Sequence, residues 1–263
     1  MKGSDQNMSY SGEIITALQW MWGDGYLAPG GPEELAELLQ DIPLVGCHVL
    51  DIGCGLGAID VELIKTYEAH RVVGIDVEPH LIELAYERIN EAGLAGRVNF
   101  KLVEPGVLPF DDKVFDVVFS KDAIVHIENK AAFYREAFRV LKQGGVFVGS
   151  DWLCGGKETY TREVEEYLNL INLTYHMRSL KETNQFVFEA GFERVEMRDR
   201  NEWYREEVKK ELATLSGDHF VQLSDQVGRE HAEYRLQVSS IKQRVIEQGF
   251  LRPTHIIGYK SAC

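Results

Sequence analysis

The chain has 263 residues, with 28 Lys plus Arg against 42 Asp plus Glu, a formal charge of −14 with neutral histidines, and 44% hydrophobic residues. That is the composition of a globular protein large enough for one full core. The acidic balance argues against a nucleic-acid binder or a protein held on an anionic membrane surface, because both need clustered Lys and Arg.

The chain opens MKGSDQNMSYSG, without the apolar stretch of a signal peptide, and no later run approaches the roughly 18 apolar residues of a spanning helix, so a soluble, cytoplasmic protein is expected. A leader over residues 8–30 carries Tyr10, Trp20, Trp22 and Tyr26 and ends in Pro29-Gly30-Gly31. Pro32 to Gln40 reads as a helix with Pro at its start. Cys47 to Ile52 is a short apolar run before glycine, hence a buried strand. Ala58 to Ala69 has helical spacing, Arg71 to Val77 is a second strand, and Pro79 to Gly93 a helix closed by glycine. A third strand at Arg97–Val103 and a fourth at Val114–Ser120 precede a helix at Lys130–Leu141 and a fifth strand at Val146–Asp151. Strands alternating with helices predict an α/β fold with a doubly wound, Rossmann-like parallel sheet.

After Asp151 the pattern changes. Residues 157–177 read as polar and helical, Lys181–Gly191 as a helix, 193–200 as a strand, and 202–250 as a long charged helical stretch in which Glu202–Lys210 is a solvated face. A strand at His255–Lys260 closes the chain. The helical pieces, 152–180 and 201–250, are expected to cap the sheet within one domain spanning 1–263, because the final strand, within 252–262, must return to the core. Cys47, Cys54, Cys154 and Cys263 form no C-x-x-C pair, so free thiols and no metal site are expected.

The strongest motif is Val49-Leu50-Asp51-Ile52-Gly53-Cys54-Gly55-Leu56-Gly57, where a strand feeds a glycine turn and then a helix. Ligands bind at the carboxyl ends of such strands. Glycine lets the backbone adopt positive φ and approach a ligand closely. Asp76 follows Gly57 by nineteen residues, at the end of the second strand, where a carboxylate can accept both hydroxyls of a ribose. Gly53-x-Gly55-x-x-Ala58 also satisfies the dinucleotide fingerprint. Against that reading, no Arg or Lys stands in the turn to pair a pyrophosphate, and Asp51 suits a ligand bearing an ammonium group.

Asp-x-Gly-x-Gly-x-Gly resembles motif I of the class I S-adenosylmethionine (SAM) dependent methyltransferases, and the resemblance extends over roughly residues 45–200, with residues 45–151 as the SAM-binding core. It implies a seven-stranded sheet with SAM held by Asp51, Gly53, Gly55, Gly57, Asp76 and Val77, and with Glu104, Pro105 and Lys121 also on the cofactor side. Phe115–Ser120 and Leu141-Lys142-x-Gly144-Gly145 match the family's fourth strand and its approach to the fifth.

Ser120-Lys121-Asp122-Ala123-Ile124-Val125-His126 more narrowly resembles the phosphoethanolamine N-methyltransferases, as does Tyr10 followed by Tyr26 and Gly30-Gly31 in an N-terminal lid, residues 8–31. This implies Tyr10 and His126 as a catalytic pair and Asp122 as an acceptor-side carboxylate. Methyl transfer to nitrogen needs a neutral lone pair, and a histidine is suited to take the proton near neutral pH. That family's phosphate-binding serine, arginine and lysine lack counterparts: the lid reads Ala28, the cap segment Tyr167–Tyr175 has no arginine, and the lysine position falls near Gln237, with Arg235 close by. Tyr26, Trp152, Tyr167 and Tyr175, with Asp122, are the candidate acceptor-binding residues, and Trp20 and Trp22 could join an aromatic box for a cationic group. Arg178, Arg200, Arg205 and Arg235 are equal candidates for binding an acceptor anion. The expected function is SAM-dependent methylation of a small polar molecule, most plausibly the amine of a phosphobase or of a glycine- or sarcosine-like compound. The alternatives are an S-methyltransferase on a methionine-like sulfur and a non-catalytic SAM-binding module.

Overall fold

The computed structural model describes residues 10–171 and 174–262. The first two residues assigned to the lid, Asn172 and Leu173 of the cap, and the thiol of Cys263 lie outside the described residues. The lid contains an element that its sequence did not announce, helix α1 (Gly12–Trp22), capped by the Ser11 hydroxyl accepting from the Ile14 N–H at 3.4 Å. Helix α2 (Gly31–Leu39) carries Pro32 in its first turn, with Glu33 and Glu34 beside it.

The alternating region folds as predicted: β1 (His48–Ile52), α3 (Ala58–Lys65), β2 (Arg71–Asp76), α4 (Pro79–Glu91), β3 (Val98–Leu102), β4 (Phe115–Lys121), a 3-10 turn (Ile124–His126), α5 (Lys130–Val140) and β5 (Leu141–Cys154). Strand β5 is longer at both ends than the apolar run Val146–Asp151. Its N-terminal extension is accommodated by a shift in register against β4 between Phe115 and Val117. The chain continues through α6 (Arg162–Ile171), α7 (Leu180–Glu189), β6 (Arg194–Asp199), α8 (Asn201–Thr214), α9 (Gly217–Val227), α10 (Arg229–Glu247) and β7 (Leu251–Tyr259). The helical reading of 157–177 holds only for α6 and a 3-10 turn at Lys157–Thr159. The stretch 202–250 is three helices. Gly217 (φ 58°) and Gly228 (φ 83°) break it by taking backbone angles that disfavour any other residue.

The seven strands run in the order β3-β2-β1-β4-β5-β7-β6, parallel except for β7, which is antiparallel to both neighbours. Strand alternation divides the core between the two faces. Val49, Val117, Phe119, Val148 and Ile257 pack toward α2, α3 and α4, whereas Leu50, Val118, Phe147 and Ile256 pack toward α5 and α7. A third cluster, including Val164, Tyr167, Tyr204, Val208, Ile241 and Val245, joins α6, α8 and α10 over the β7 end of the sheet. On α8 the expected solvated face exists, but Tyr204 and Val208 point into this cluster, so the helix is amphipathic.

Lid and cap are joined by buried polar contacts. The Trp22 indole N–H and the Tyr204 hydroxyl both donate to Glu211 Oε1, at 3.1 and 3.0 Å, while Lys242 Nζ pairs with Glu211 Oε2 at 2.6 Å. Glu34 of α2 receives Arg200 through two hydrogen bonds and lies 2.7 Å from Nε2 of the fully buried His255 on β7. Among the described residues no helix is long and apolar enough to cross a membrane.

Candidate active site

The carboxyl ends of β1, β2 and β4 meet where a doubly wound sheet offers its ligand crevice. Gly53, Gly55 and Gly57 all have positive φ. A Cβ on Gly53 would stand 2.2 Å from Ala123 Cβ, and one on Gly57 would stand 2.8 Å from Phe100 Cζ, so the turn is closed to any larger residue. The Gly55 N–H donates to Asp76 Oδ2 at 3.0 Å, and the Val77 and Glu78 N–H groups donate to Oδ1 at 2.7 and 3.1 Å. Burial pushes the Asp76 carboxyl up in pKa, and these three donors oppose the push. Val77 is 49% exposed, and Leu102, the partner of Asp76 across the β2–β3 register, 48%. They make an apolar shelf beside the Asp76 carboxylate, and Glu104 and Pro105 lie exposed just beyond it. A fixed carboxylate, a glycine cradle and an adjoining apolar shelf fit a nucleoside with its ribose at Asp76.

Beyond the turn lies the acceptor side. Asp122 has φ 58°, unusual for a non-glycine residue, and is held there by its N–H donating to the Ser150 carbonyl at 2.8 Å and by the Ser150 hydroxyl donating to Oδ1 at 2.9 Å. Lys121, expected on the cofactor side, instead sends its buried ammonium to Asp122 Oδ2 at 2.5 Å and to the Pro29 carbonyl of the lid at 3.1 Å. It ties the lid to the acceptor carboxylate.

His126 ends the 3-10 turn with its Nδ1 3.3 Å from the Thr174 carbonyl. A carbonyl only accepts, so the neutral ring that makes this bond carries its hydrogen on Nδ1 and presents a free lone pair on Nε2. The residue keeps an exposed edge, and loss of hydration around the ring lowers its pKa below 6.5, aided by Lys130 and His176 and opposed by the Thr174 carbonyl and Asp76. Behind the turn, Lys130 Nζ donates to the Ile124 carbonyl and stands 3.7 Å from the buried carboxyl of Asp151, whose pKa burial raises to about 7.

Tyr10 is packed against Ile15, Leu56 and Leu81, with its hydroxyl pKa pushed up to about 12 by burial and by the nearby carboxylates of Asp76, Glu78 and Asp122. It therefore sits between the cofactor and acceptor sides. Tyr10 and His126 make no hydrogen bond to each other. Tyr175 is the ring beside His126, edge-on at 5.3 Å, and it also lies within electrostatic reach of Tyr10, Tyr167, Asp122 and Arg235.

The remaining candidates separate cleanly. Tyr26 is buried among Glu62, Tyr67, Glu33 and Arg88 on the outer side of the lid, away from the Tyr10–Tyr175 group. Trp20 packs on His219 and Trp22 on the Glu211–Lys242 pair, so neither enters an aromatic box with Tyr175. Trp152 meets Tyr204 edge-on at 4.9 Å and lines a narrow seam with Lys121, Asp122 and Ser150. Of the four arginines, Arg178 donates to the Met177 carbonyl, Arg200 to Glu34, and Arg205 to the Glu247 carbonyl. Only Arg235 makes no hydrogen bond within the described residues. Its buried Nε has no partner, its guanidinium lies over the Tyr234 ring at 4.8 Å, and its charge reaches Tyr10, Tyr167 and Tyr175. Gln237 faces the other way, onto a surface groove beside Arg162 and Glu165. Ser150, Thr174 and Asp60 (below) were not singled out from the sequence. Asp60 alone left a signal, as an acid in the otherwise apolar first turn Ala58-Ile59-Asp60-Val61.

The strand order with a reversed β7, the glycine cradle and the Asp76 site define a SAM-dependent methyltransferase fold. A family description reading "Methyltransferase domain" matches residues 44–211, and the chain belongs to that family, whose methyl donor is SAM. The chain is similar to phosphoethanolamine N-methyltransferase 1 of Arabidopsis thaliana, 32% identical over 83% of this chain and 44% of that protein. It thus spans less than half the length of this relative. It is also similar to phosphoethanolamine N-methyltransferase of Plasmodium falciparum, 26% identical over 95% of this chain and 94% of that protein. Among solved structures, phosphoethanolamine N-methyltransferase 2 of Haemonchus contortus, bound to phosphomonomethylethanolamine and S-adenosylhomocysteine, superposes with a TM-score of 0.89. That match covers 97% of this chain and 59% of that one at 22% identity, a likeness of fold.

Proposed function

We propose that this protein transfers a methyl group from SAM to the nitrogen of a small amine that carries an anionic tail. The observation that carries the reading is the grouping of Asp122, His126, Tyr10, Tyr175 and the unpaired Arg235 beside the Asp76 site. SAM supplies an electrophilic methyl when bound, and everything else asked of the chain is positioning and one proton transfer. Asp122, fixed by Ser150 and ion-paired with Lys121, accepts a hydrogen bond from the amine in its ammonium form. His126 Nε2 takes the proton and so frees the nitrogen lone pair. Tyr10 and Tyr175 exclude water from the space between the two reactants. Arg235 pairs with the anionic tail and sets the distance of the nitrogen from Asp122 and His126.

The plant and parasite relatives are named for phosphoethanolamine. In this chain the nearby cations Lys121 and Lys242 are neutralised by Asp122 and Glu211, whereas Arg235 has no carboxylate partner among the described residues and is assigned to the acceptor anion. A single guanidinium matches a carboxylate more closely than a phosphate dianion, so a glycine- or sarcosine-like amino acid is favoured over a phosphobase. The test is methyl transfer from labelled SAM to glycine, sarcosine, dimethylglycine, phosphoethanolamine and methionine across pH, for the wild type and Arg235→Gln. The expected result is turnover of an amino-acid amine, with KM raised at least tenfold in Arg235→Gln and kcat changed less. Preferred turnover of phosphoethanolamine would overturn the carboxylate assignment while leaving N-methylation standing. Turnover of methionine alone, independent of pH, would replace N-methylation by S-methylation, and tight SAM binding without turnover of any acceptor would favour a non-catalytic module.

A further inference from the structure

Asp51, which the sequence places on the cofactor side, has a second carboxyl group beside it beneath the glycine turn, Asp60, that takes no part in that reading. Asp51, on β1, and Asp60, in the first turn of α3, are 2% and 0% exposed. They lie within hydrogen-bonding reach of each other, and apart from the Asp60 backbone N–H close to its own carboxyl, Asp51 Oδ1 and both Asp60 oxygens have no donor from any described residue. The titratable groups facing the pair are the Cys54 thiol from the turn and the Asp76 carboxylate from β2, and none of them is basic. His80 and Tyr10 approach only the far side, at Asp76. Two buried carboxylates facing each other without a cation repel strongly. A proton between them removes the repulsion and supplies the missing donor.

We propose that Asp51 and Asp60 hold one shared proton in the free protein and together receive the ammonium group on the amino-acid half of SAM, the proton leaving to solvent as the cation arrives. Asp60 is thereby a cofactor-binding residue in its own right. The inference rests on SAM as the cofactor of this family. Burial and mutual repulsion raise the pair above the ordinary carboxylate range, so that it keeps a proton near neutral pH. Below neutrality the ligand must displace a proton to obtain two negative partners, so the pair couples affinity to pH. The shared proton also leaves the empty site one buried negative charge in place of two.

Calorimetric titration of the full chain with SAM, at pH 6 and pH 7 in two buffers of different ionisation enthalpy, counts the protons released. The expected result is release of close to one proton per site at pH 6 and less at pH 7, with affinity rising by up to tenfold between the two. Asp60→Asn should abolish both the release and the pH dependence and should weaken binding at pH 7. Asp151→Asn is the control for the other carboxyl titrating in this range and should leave the release intact. Buffer-independent heat with tight binding would overturn the shared proton but leave the methyltransferase reading untouched. Release that survived in Asp60→Asn and vanished in Asp151→Asn would assign it elsewhere and overturn the proposal. Failure of the folded wild type to bind SAM would remove the inference together with the cofactor.

Discussion

His126 and Asp76 divide the work at the level of single side chains, and each is testable alone. The His126 ring is the proton acceptor of the proposed reaction, so His126→Ala should lower turnover by about 100-fold or more and leave SAM affinity unchanged by calorimetry. The neutral ring is the active form and its pKa is held below 6.5. Activity should therefore be flat at neutral pH and fall only as the pH drops below that value. An acidic limb in kcat centred above pH 6.5 would contradict the assignment. Asp76 accepts three backbone N–H groups and faces the ribose position. Asp76→Ala removes the acceptor for both, and a loss of about 2 kcal/mol in SAM binding is expected, roughly thirtyfold in affinity. Unchanged affinity would move the ribose elsewhere.

At the level of elements, the lid and the helix that follows it are held by several contacts, among them Arg88 on Asp24 and His80 on the Tyr10 carbonyl. Lys121 holds the Pro29 carbonyl, Glu34 holds Arg200 and His255, and Trp22 of α1 is bound into the Glu211–Lys242 pair between α8 and α10. The last is a buried ion pair, and such pairs are costly to break from one side, because the remaining charge stays desolvated. Lys242→Met should destabilise the protein by about 3–5 kcal/mol in urea unfolding. The double change Lys242→Met with Glu211→Gln should recover part of that loss, since no bare charge is left. Equal stabilities for the single and double variants would mean that the carboxylate is neutral or solvated in the single one. Lys121→Met cuts a tether to the lid without touching the cofactor turn. Faster amide exchange over residues 23–31 is the expected signature, and unchanged exchange would show the remaining fastenings, Arg88 on Asp24 among them, to suffice.

The molecule as a whole carries its buried carboxyls in an unusual state. Asp60 and Asp151, both raised to about 7, bind protons in the folded protein that they release in the unfolded chain above about pH 4. Between those two pH values the native state holds more protons than the unfolded state, so these groups make stability fall as pH rises from about 4 to 7 and contribute a constant penalty above it. The penalty is of order a few kcal/mol for each group. Thermal unfolding should accordingly be higher near pH 6 than near pH 8. Asp60→Asn should reduce that difference and leave the part due to Asp151, and a melting temperature rising steadily from pH 6 to 8 in the wild type would contradict it.

Much of this organisation was legible in the residue order because its causes are local. Apolar runs four to six residues long between helical periods gave the parallel strands, Gly53-x-Gly55-x-Gly57 gave the turn, and the interval to Asp76 placed a carboxylate at the next strand end. The helix inside the lid, the length of β5 and the breaks at Gly217 and Gly228 were not legible, because packing against distant elements decides them. The same holds for the site. Four arginines were equivalent in the sequence, and only the folded chain engages three of them elsewhere and leaves Arg235 before the tyrosines. Lys121 reaches a carbonyl 92 residues away, and Glu34 meets a histidine 221 residues away. Composition and periodicity determined the class of fold and the cofactor turn. Contacts between residues far apart in the chain decided which charges are neutralised, which stay buried without a partner, and so where a proton or an anion is bound.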